Sequence, residues 1–93
     1  MRKIERTTQF RRDYKHKVKK YGKNILEASF IPALRLLCAD VCLPEKYTDH
    51  ALSGNWKNYR DCHIKPDLVL IYQKPDNETI LLVRLGSHSE LGF

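Results

Sequence analysis

The sequence has no long hydrophobic run, and this absence excludes several classes of protein. No apolar stretch approaches the length that a membrane-spanning helix requires. The N-terminal stretch MRKIERTTQF has no apolar region of the kind found in secretory signals, so we expect a protein of the cytoplasm with no membrane partner. Cysteine is also scarce, and three cysteines without an export signal favour reduced thiols over a disulfide framework. At 93 residues the chain has room for one modest core, which predicts a single domain over residues 1–93.

Acidic residues are few at the start of the chain, where the positive charge is concentrated. Residues 1–23 hold ten Lys or Arg against two acids, whereas residues 24–93 hold seven against nine. Such a local excess is typical of a surface that contacts a polyanion or an acidic protein, although a merely solvated helix face has the same composition. The basic residues expected to point outward here are Arg11, Arg12, Lys15, Lys19 and Lys20.

Two helices are predicted in the first half of the chain, after a short edge strand over residues 3–6. The next two threonines are good N-caps, and Gly22 is a natural helix end. Between them, the inward residues at helical spacing are Phe10, Tyr14, Val18 and Tyr21. Asn24 is then expected to cap a second helix with the same apolar period. Pro32 falls inside that helix and predicts either a kink or a helix that begins near the proline.

The second half of the chain is predicted to form an antiparallel meander of three strands, over residues 57–63, 67–73 and 79–86. The middle strand is apolar on both faces, which fits a central strand covered by the helices. In the last strand, simple alternation puts Arg84 at the end of an otherwise apolar face. The predicted fold class is therefore α+β, with two N-terminal helices packed on a small twisted, mainly antiparallel sheet.

Three histidines and one arginine in the second half suggest acid–base chemistry on a phosphate. Cleavage of RNA through its own 2′-hydroxyl needs a base, an acid and a cation that holds the phosphate. Histidine suits both proton roles, because its reference pKa of about 6.5 lets neutral and protonated forms coexist near neutral pH. Arginine suits the third role by pairing with phosphate oxygens. The candidates are His50, His63 and His88 for proton transfer and Arg84 for the phosphate.

Two carboxylates complete the candidate site. Asp61 and Asp67 are predicted to orient an imidazole or raise its pKa, and Asp61 is also counted among the RNA-binding residues. His63 and Asp67 flank a turn, so we expect them to face each other across it. Each residue also has a structural reading: Asp61 could pair with Arg60 or Lys57, and Asp67 could be a turn residue beside Pro66.

A zinc site is the competing interpretation of the same residues. The three histidines and Cys62 are all possible ligands, and a three-histidine site with an open water would also hydrolyse phosphates. No paired ligand spacing supports such a site, and regular alternation points Cys62 away from the face of His63. We therefore expect no metal and no cofactor.

A specific series of residues resembles the YafQ family of bacterial toxins, which belongs to the RelE/ParE superfamily of type II toxin–antitoxin systems. The resemblance covers essentially the whole chain. The residues that carry it are Asp49-His50-Ala51-Leu52, Gly54, Trp56-Lys57, Tyr59-Arg60-Asp61, His63, Pro66-Asp67, Leu70-Ile71-Tyr72, Arg84, Gly86 and His88.

The resemblance implies a RelE-like fold and a metal-independent, ribosome-dependent mRNA endoribonuclease. In this family the residue matching His88 gives a proton to the leaving 5′-oxygen, and the residue matching His50 is the expected base. His63 and Asp67 complete the acid–base set, Arg84 holds the phosphate, and the C-terminal aromatic that positions substrate corresponds to Phe93.

The resemblance also implies partners. These are a cognate antitoxin whose acidic or amphipathic C-terminal region wraps the toxin, the 70S ribosome with its mRNA, and operator DNA only through the antitoxin complex. The basic first helix would then lie on ribosomal RNA through Lys15, Lys19 and Lys20. The alternative is a non-catalytic binding module, either a ParE-like gyrase inhibitor or an operon co-repressor, which needs no set of histidines.

Overall fold

The computed structural model describes residues 1–92, in which two helices are joined by a single glycine. Helix α1 (Thr8–Tyr21) is capped by Thr7, whose hydroxyl accepts the Phe10 N–H at 2.9 Å. Gly22 ends it with φ of 86°, a left-handed conformation that glycine adopts without steric cost. Helix α2 (Lys23–Cys38) follows at once.

The predicted N-cap of the second helix was wrong, and of the two alternatives predicted for Pro32 the helix start near the proline does not occur. Helix α2 begins at Lys23 with Gly22 at its cap position rather than Asn24, and it passes through Pro32 without restarting there. Phe30 and Ala33 are buried on either side of the proline, so both halves of the helix pack into the same core. This packing offsets the hydrogen bond that Pro32 cannot donate.

Five strands form one open sheet in the order β1-β5-β4-β3-β2. They are β1 (Lys3–Arg6), β2 (His50–Ala51), β3 (Arg60–Lys65), β4 (Leu68–Gln73) and β5 (Thr79–Gly86). Strand β1 pairs with β5 in parallel, and the other neighbours are antiparallel. The α+β class, the edge strand at residues 3–6 and the meander are all confirmed.

Two details of the sheet differ from the prediction. Strand β3 begins at Arg60 and not at residue 57, because a 3₁₀ turn over Gly54–Trp56 and a left-handed Asn58 (φ 79°) interrupt the extended chain. The two-residue strand β2 was not predicted. Although β2 has only two residues, it places His50 directly opposite Asp61 of β3.

The sheet is covered on both faces. One face packs against α1 and α2, where Phe10, Leu26, Leu70, Tyr72 and Leu82 are almost fully buried. The other face carries a smaller cluster of Val69, Ile71 and Leu91, with further partly buried apolar residues from the 52–59 segment and β5. Leu91 belongs to α3 (His88–Leu91), so this second cluster anchors the short C-terminal helix against the sheet.

A register shift in β5 overturns the simple alternation expected for Arg84. Tyr72 pairs with Leu82 and Ile71 with Arg84, which leaves Val83 as an extra residue in β5. Ile80, Leu82 and Leu85 therefore all belong to the helix-side core, and Arg84 shares the opposite face with Ile71. Within residues 1–92, no helix is both long and apolar enough to cross a membrane.

Candidate active site

His50 and Asp61 lie side by side because strands β2 and β3 pair them directly. The His50 Nδ1 atom is 3.0 Å from Asp61 Oδ1. The Asp61 side chain is only 3% exposed whereas that of His50 is 52% exposed, so the carboxylate lies beneath an accessible imidazole. This geometry suits a carboxylate that stabilises positive charge on the ring above it.

A second contact fixes the tautomer of His50. Its Nδ1 is 2.8 Å from the Thr48 carbonyl oxygen, and because a carbonyl only accepts, Nδ1 must carry the proton of this hydrogen bond. Thr48 is in the left-handed region (φ 48°, ψ 46°), which is unusual for a β-branched residue. With Nδ1 protonated, neutral His50 has a free lone pair on Nε2 with which to accept a proton.

The buried carboxylate of Asp61 is electrostatically unusual. Among the described residues its Oδ1 has no hydrogen-bond partner, because the single N–H of His50 Nδ1 is directed at Thr48 and the 3.0 Å contact is therefore purely electrostatic. Burial raises the pKa of Asp61, and attraction from His50, His63 and His88 partly opposes that increase. One buried carboxylate thus lies within electrostatic reach of all three candidate histidines.

His63 and His88 form the second half of the site. Residues 61 and 63 of β3 lie on one face of the strand, and His88 is the first residue of α3. The two imidazole rings meet edge to face, with centroids 5.0 Å apart and planes inclined by 62°. The predicted neighbours His50, Asp61, His63 and His88 are therefore brought together on the face of the sheet opposite α1 and α2.

Asp67 lies near His88, whereas we had expected it to face His63. Its Oδ1 is 3.6 Å from His88 Nδ1, which is longer than a hydrogen bond but close enough for charge attraction if the ring is protonated. The Asp67 side chain is 74% exposed. This exposed carboxylate therefore lies next to His88, whose side chain is itself 43% exposed.

Arg84 is held by a carboxylate that sequence analysis missed. Its Nε and Nη2 donate to the two oxygens of Asp13 at 2.7 and 3.3 Å, and Asp13 Oδ2 also accepts the Leu85 N–H at 3.0 Å. Asp13 is buried in α1, whereas about a quarter of the Arg84 side chain is exposed. Asp13 engages Nε and Nη2, and within residues 1–92 Nη1 donates no hydrogen bond, which makes this amine the candidate contact for an incoming phosphate.

Sequence analysis also missed Lys17 and Glu90. For Lys17 the sequence did contain a signal, namely its spacing from Phe10. Asp13 and Lys17 continue the inward spacing of Phe10, so charged residues occur where the helical period predicts core residues. Lys17 Nζ is 2.6 Å from Glu90 Oε1 in α3. The Lys17 ammonium and the Ser87 N–H together lower the pKa of Glu90 to about 2.

Another network fixes the segment that leads into His50. The Tyr72 hydroxyl donates to Asp49 Oδ1 at 2.5 Å, and Arg60 Nη2 donates to Asp49 Oδ2 at 3.2 Å. Arg60 therefore pairs with Asp49 and not with Asp61, contrary to the structural alternative considered above. Burial and the bond to Asp49 raise the pKa of the Tyr72 phenol, so this hydroxyl stays a donor at physiological pH.

The other predicted residues lie elsewhere. Lys15, Lys19 and Lys20 are exposed on α1, and the Lys20 ammonium is 5.3 Å from the centroid of the Tyr21 ring. Phe93 lies outside the described residues. Among residues 1–92, no three His, Cys, Asp or Glu side chains are arranged to hold a metal ion, and Cys62 is buried in the helix-side core.

Two helices packed on a five-stranded open sheet form the fold of solved bacterial toxins from toxin–antitoxin complexes. Residues 2–92 match the family model described as the bacterial toxin of type II toxin–antitoxin system, YafQ. The chain belongs to the YafQ family.

Named relatives agree with this assignment. The mRNA interferase toxin YafQ of Escherichia coli K12 is 37% identical over 90 residues, which cover 97% of this chain and 95% of the relative. The crystal structure of a copper-bound mutant toxin from Helicobacter pylori has a TM-score of 0.90 and 35% identity, covering 98% of this chain and 99% of that one. The toxin in a crystal structure of the E. coli DinJ–YafQ complex has a TM-score of 0.84 and 34% identity, with 98% of both chains covered.

Proposed function

We propose that this toxin is a ribosome-dependent mRNA endoribonuclease that cleaves by attack of the 2′-hydroxyl on the adjacent phosphate. The observation that carries the proposal is the pairing of an accessible, Nδ1-protonated His50 with buried Asp61 on the same face as His63 and His88. The E. coli relative is named an mRNA interferase, which supports the same chemistry for this chain.

In the proposed reaction, His50 is the base. Its Nε2 takes the 2′-hydroxyl proton as the 2′-oxygen forms a bond to phosphorus, and the imidazolium so formed is stabilised by Asp61 at 3.0 Å. Since Asp61 is buried, it acts through His50 and not by direct contact with RNA.

His88 is the proposed acid, and Arg84 the cation. The bond between phosphorus and the 5′-oxygen breaks while the leaving oxygen takes a proton from His88, whose Nδ1 lies 3.6 Å from Asp67 Oδ1. His63 packs against the His88 ring and holds its orientation. The Arg84 guanidinium, fixed by Asp13, stabilises the charge that develops on the phosphorane oxygens. The products are a 2′,3′-cyclic phosphate and a 5′-hydroxyl.

The proposed reaction needs no metal, because imidazoles and a guanidinium cover the proton transfers and the phosphate charge. Stripping metal from the purified toxin with EDTA should leave its cleavage rate unchanged on ribosomes that keep their own magnesium. A copper-bound structure is known for the H. pylori relative, so the stripped toxin should also be assayed after adding copper or zinc. A rate that falls on stripping and returns with either metal would revive the zinc-type interpretation.

We further propose that the ribosome orders the substrate and that an antitoxin holds the toxin inactive. The exposed Lys15, Lys19 and Lys20 offer a surface for ribosomal RNA phosphates. The E. coli relative forms a DinJ–YafQ complex, which supports a cognate antitoxin for this chain. We propose that the acidic or amphipathic C-terminal region of that antitoxin wraps the toxin. Contact with operator DNA would then occur through that complex.

The experiment that tests the proposal is induction of the toxin in bacteria followed by mapping of mRNA 5′-ends, with His88→Ala as the control. We expect new 5′-ends at a fixed position within codons of translated frames, absent with the variant. Growth arrest without such ends would instead favour a gyrase inhibitor or another binding module.

A further inference from the structure

We infer that Lys17 is a positioning residue for His88 and acts through Glu90, an inference that rests on the proposed function. Lys17 lies in α1, and its ammonium forms an ion pair with Glu90. Its side chain is 7% exposed, in contrast to the solvated lysines on the rest of the helix. A buried lysine is costly unless its ammonium is paired, so its position calls for a specific partner.

That partner is the carboxylate that organises α3. Glu90 Oε1 accepts from Lys17 Nζ at 2.6 Å and from the Ser87 N–H at 2.8 Å, while Ser87 Oγ accepts the Glu90 N–H at 3.2 Å. The last two bonds form a capping box around His88, the first residue of the helix. Lys17 thus ties the N-terminal turn of α3 to α1.

A helix of four residues cannot hold its own orientation. Isolated helices of this length are unstable in water, so α3 depends on its contacts with the rest of the molecule. On one side Leu91 is buried against Val69 and Ile71. On the other side the contact is the Lys17–Glu90 pair, and both attachments contribute to where the His88 ring lies relative to His63.

The same helix, α1, also holds Arg84. Asp13 and Lys17 are one helical turn apart, so a single turn of α1 contacts both β5 at Arg84 and α3 at Glu90. The spacing between the proposed acid and the phosphate-holding cation is therefore set by a rigid element outside the reacting groups. A shift of about 1 Å between such groups can reduce a rate on the order of 100-fold.

The test is single-turnover cleavage of mRNA on programmed ribosomes by Lys17→Met, Lys17→Arg and Glu90→Gln. Methionine keeps much of the apolar stem of lysine without its charge, and glutamine keeps an oxygen for the Ser87 N–H. Lys23→Met is the matched control, because it removes one charge from an exposed lysine at the start of α2. We expect Lys17→Met and Glu90→Gln to lower the maximal rate roughly 10- to 100-fold with KM nearly unchanged. Lys17→Arg should recover most of the rate, and Lys23→Met should cleave like the wild type.

The decisive comparison combines Lys17→Met with His88→Ala. If Lys17 acts through His88, it has no further effect once His88 is absent, so the double variant should cleave at the residual rate of His88→Ala alone, which long single-turnover incubations with excess toxin can measure even where cells show no 5′-ends. The same loss factor in both backgrounds, or wild-type rates for Lys17→Met and Glu90→Gln, would overturn the inference. Glu90→Gln maintains the test if Lys17→Met does not fold.

A spectroscopic readout separates this inference from the proposed function. In histidine side-chain NMR spectra of Lys17→Met, the His88 signals should shift or broaden while those of His50 stay in place. Unchanged His88 signals would contradict the positioning role whether or not the protein cleaves RNA. Absence of cleavage by the wild-type toxin, with His88 signals that still respond, would instead count against the nuclease.

Discussion

At the scale of single residues, the candidate site is built from buried carboxylates that lie beneath more accessible histidine and arginine side chains. Asp61 lies under His50, Asp13 under Arg84, and each buried carboxylate fixes an exposed base or cation. A buried carboxylate costs stability unless hydrogen bonds compensate, and the two differ in this respect: Asp61 Oδ1 accepts none from residues 1–92, whereas Asp13 accepts from Arg84 and from the Leu85 N–H. Function and stability should therefore respond differently to their removal.

Asp61→Asn should separate the two effects. The pKa of Asp61 is raised in the folded protein, so the protonated carboxyl favours the folded state. The charged carboxylate therefore lowers the stability of the fold, and this loss is complete at pH values above the folded-state pKa. At pH 7 the variant should melt at a temperature at least as high as the wild type, and the difference should shrink as the pH falls towards 4. Its cleavage rate should fall on the order of 100-fold, because the His50 imidazolium loses its counter-charge. A melting temperature several degrees lower at pH 7 would show that Asp61 is mainly a structural residue.

Asp13→Ala, in contrast to Asp61→Asn, should lower the stability of the protein. It leaves the Leu85 N–H and the Arg84 guanidinium without their acceptor, so the free energy of unfolding from urea titration should fall by about 1–3 kcal/mol. Asp13→Asn should lose less, since its amide oxygen can still accept from Leu85. Asp67→Ala, which removes an exposed carboxylate, is the control and should change the value by less than about 0.5 kcal/mol. Equal losses for Asp13→Ala and Asp67→Ala would contradict this account.

At the scale of elements, β5 and α3 pack so closely at Gly86 that there is little room for a larger side chain between them. A Cβ atom on Gly86 would lie 3.1 Å from Glu90 Oε1 and 3.4 Å from Leu91 Cδ2. Glycine is therefore needed at this position for close packing and not for a special backbone angle.

Gly86→Ala should push α3 away from the sheet by a few tenths of an ångström. A displacement of about 1 Å between reacting groups can lower a rate on the order of 100-fold. Because this displacement is smaller, we expect the cleavage rate to fall roughly tenfold. Ser89→Ala, an equally small change on the exposed side of α3, should cleave normally. Single-turnover rates on programmed ribosomes provide the measurement, and a wild-type rate for Gly86→Ala would show that the helix can move without consequence.

Helix α1 has two sides with different proposed roles. Reversing the charge of Lys15, Lys19 and Lys20 should weaken ribosome binding and flatten its salt dependence, by roughly 0.7 in the log–log slope for each phosphate that the toxin no longer neutralises. The maximal cleavage rate should change little. A charge-matched triple reversal of the exposed Lys3, Lys23 and Lys57 is the control. Equal salt slopes for the two triple variants would mean that the basic side of α1 is only a solvated surface.

The elements also show where sequence analysis succeeds. The helical period of Phe10, Tyr14, Val18 and Tyr21 gave α1 correctly, and the apolar runs gave β4 and β5, because burial of whole elements leaves a strong pattern. Strand β2 escaped detection because two residues have no periodicity. Its existence depends on pairing with β3, which the 3₁₀ turn over Gly54–Trp56 brings alongside it.

At the scale of the whole molecule, the sequence indicated which residues matter but not how they pair. Asp67 was expected near His63 and lies near His88, and Arg84 was expected at the end of an apolar face. Both differences arise from tertiary geometry: the docking of α3 and the extra residue in β5. The pairs Asp13–Arg84 and Lys17–Glu90 join residues more than 70 positions apart, which no local pattern can reveal.

The central claim is that the 2′-hydroxyl of the mRNA is the nucleophile, with His50 as its base. The most direct test is single-turnover cleavage on ribosomes programmed with an mRNA that carries one 2′-deoxy nucleotide immediately 5′ to the scissile phosphate. We predict no cleavage at that phosphate, together with a 2′,3′-cyclic phosphate and a 5′-hydroxyl on the products of the all-ribose mRNA. Equal cleavage of the two mRNAs would contradict the account, because it would mean that water and not the 2′-oxygen attacks the phosphate.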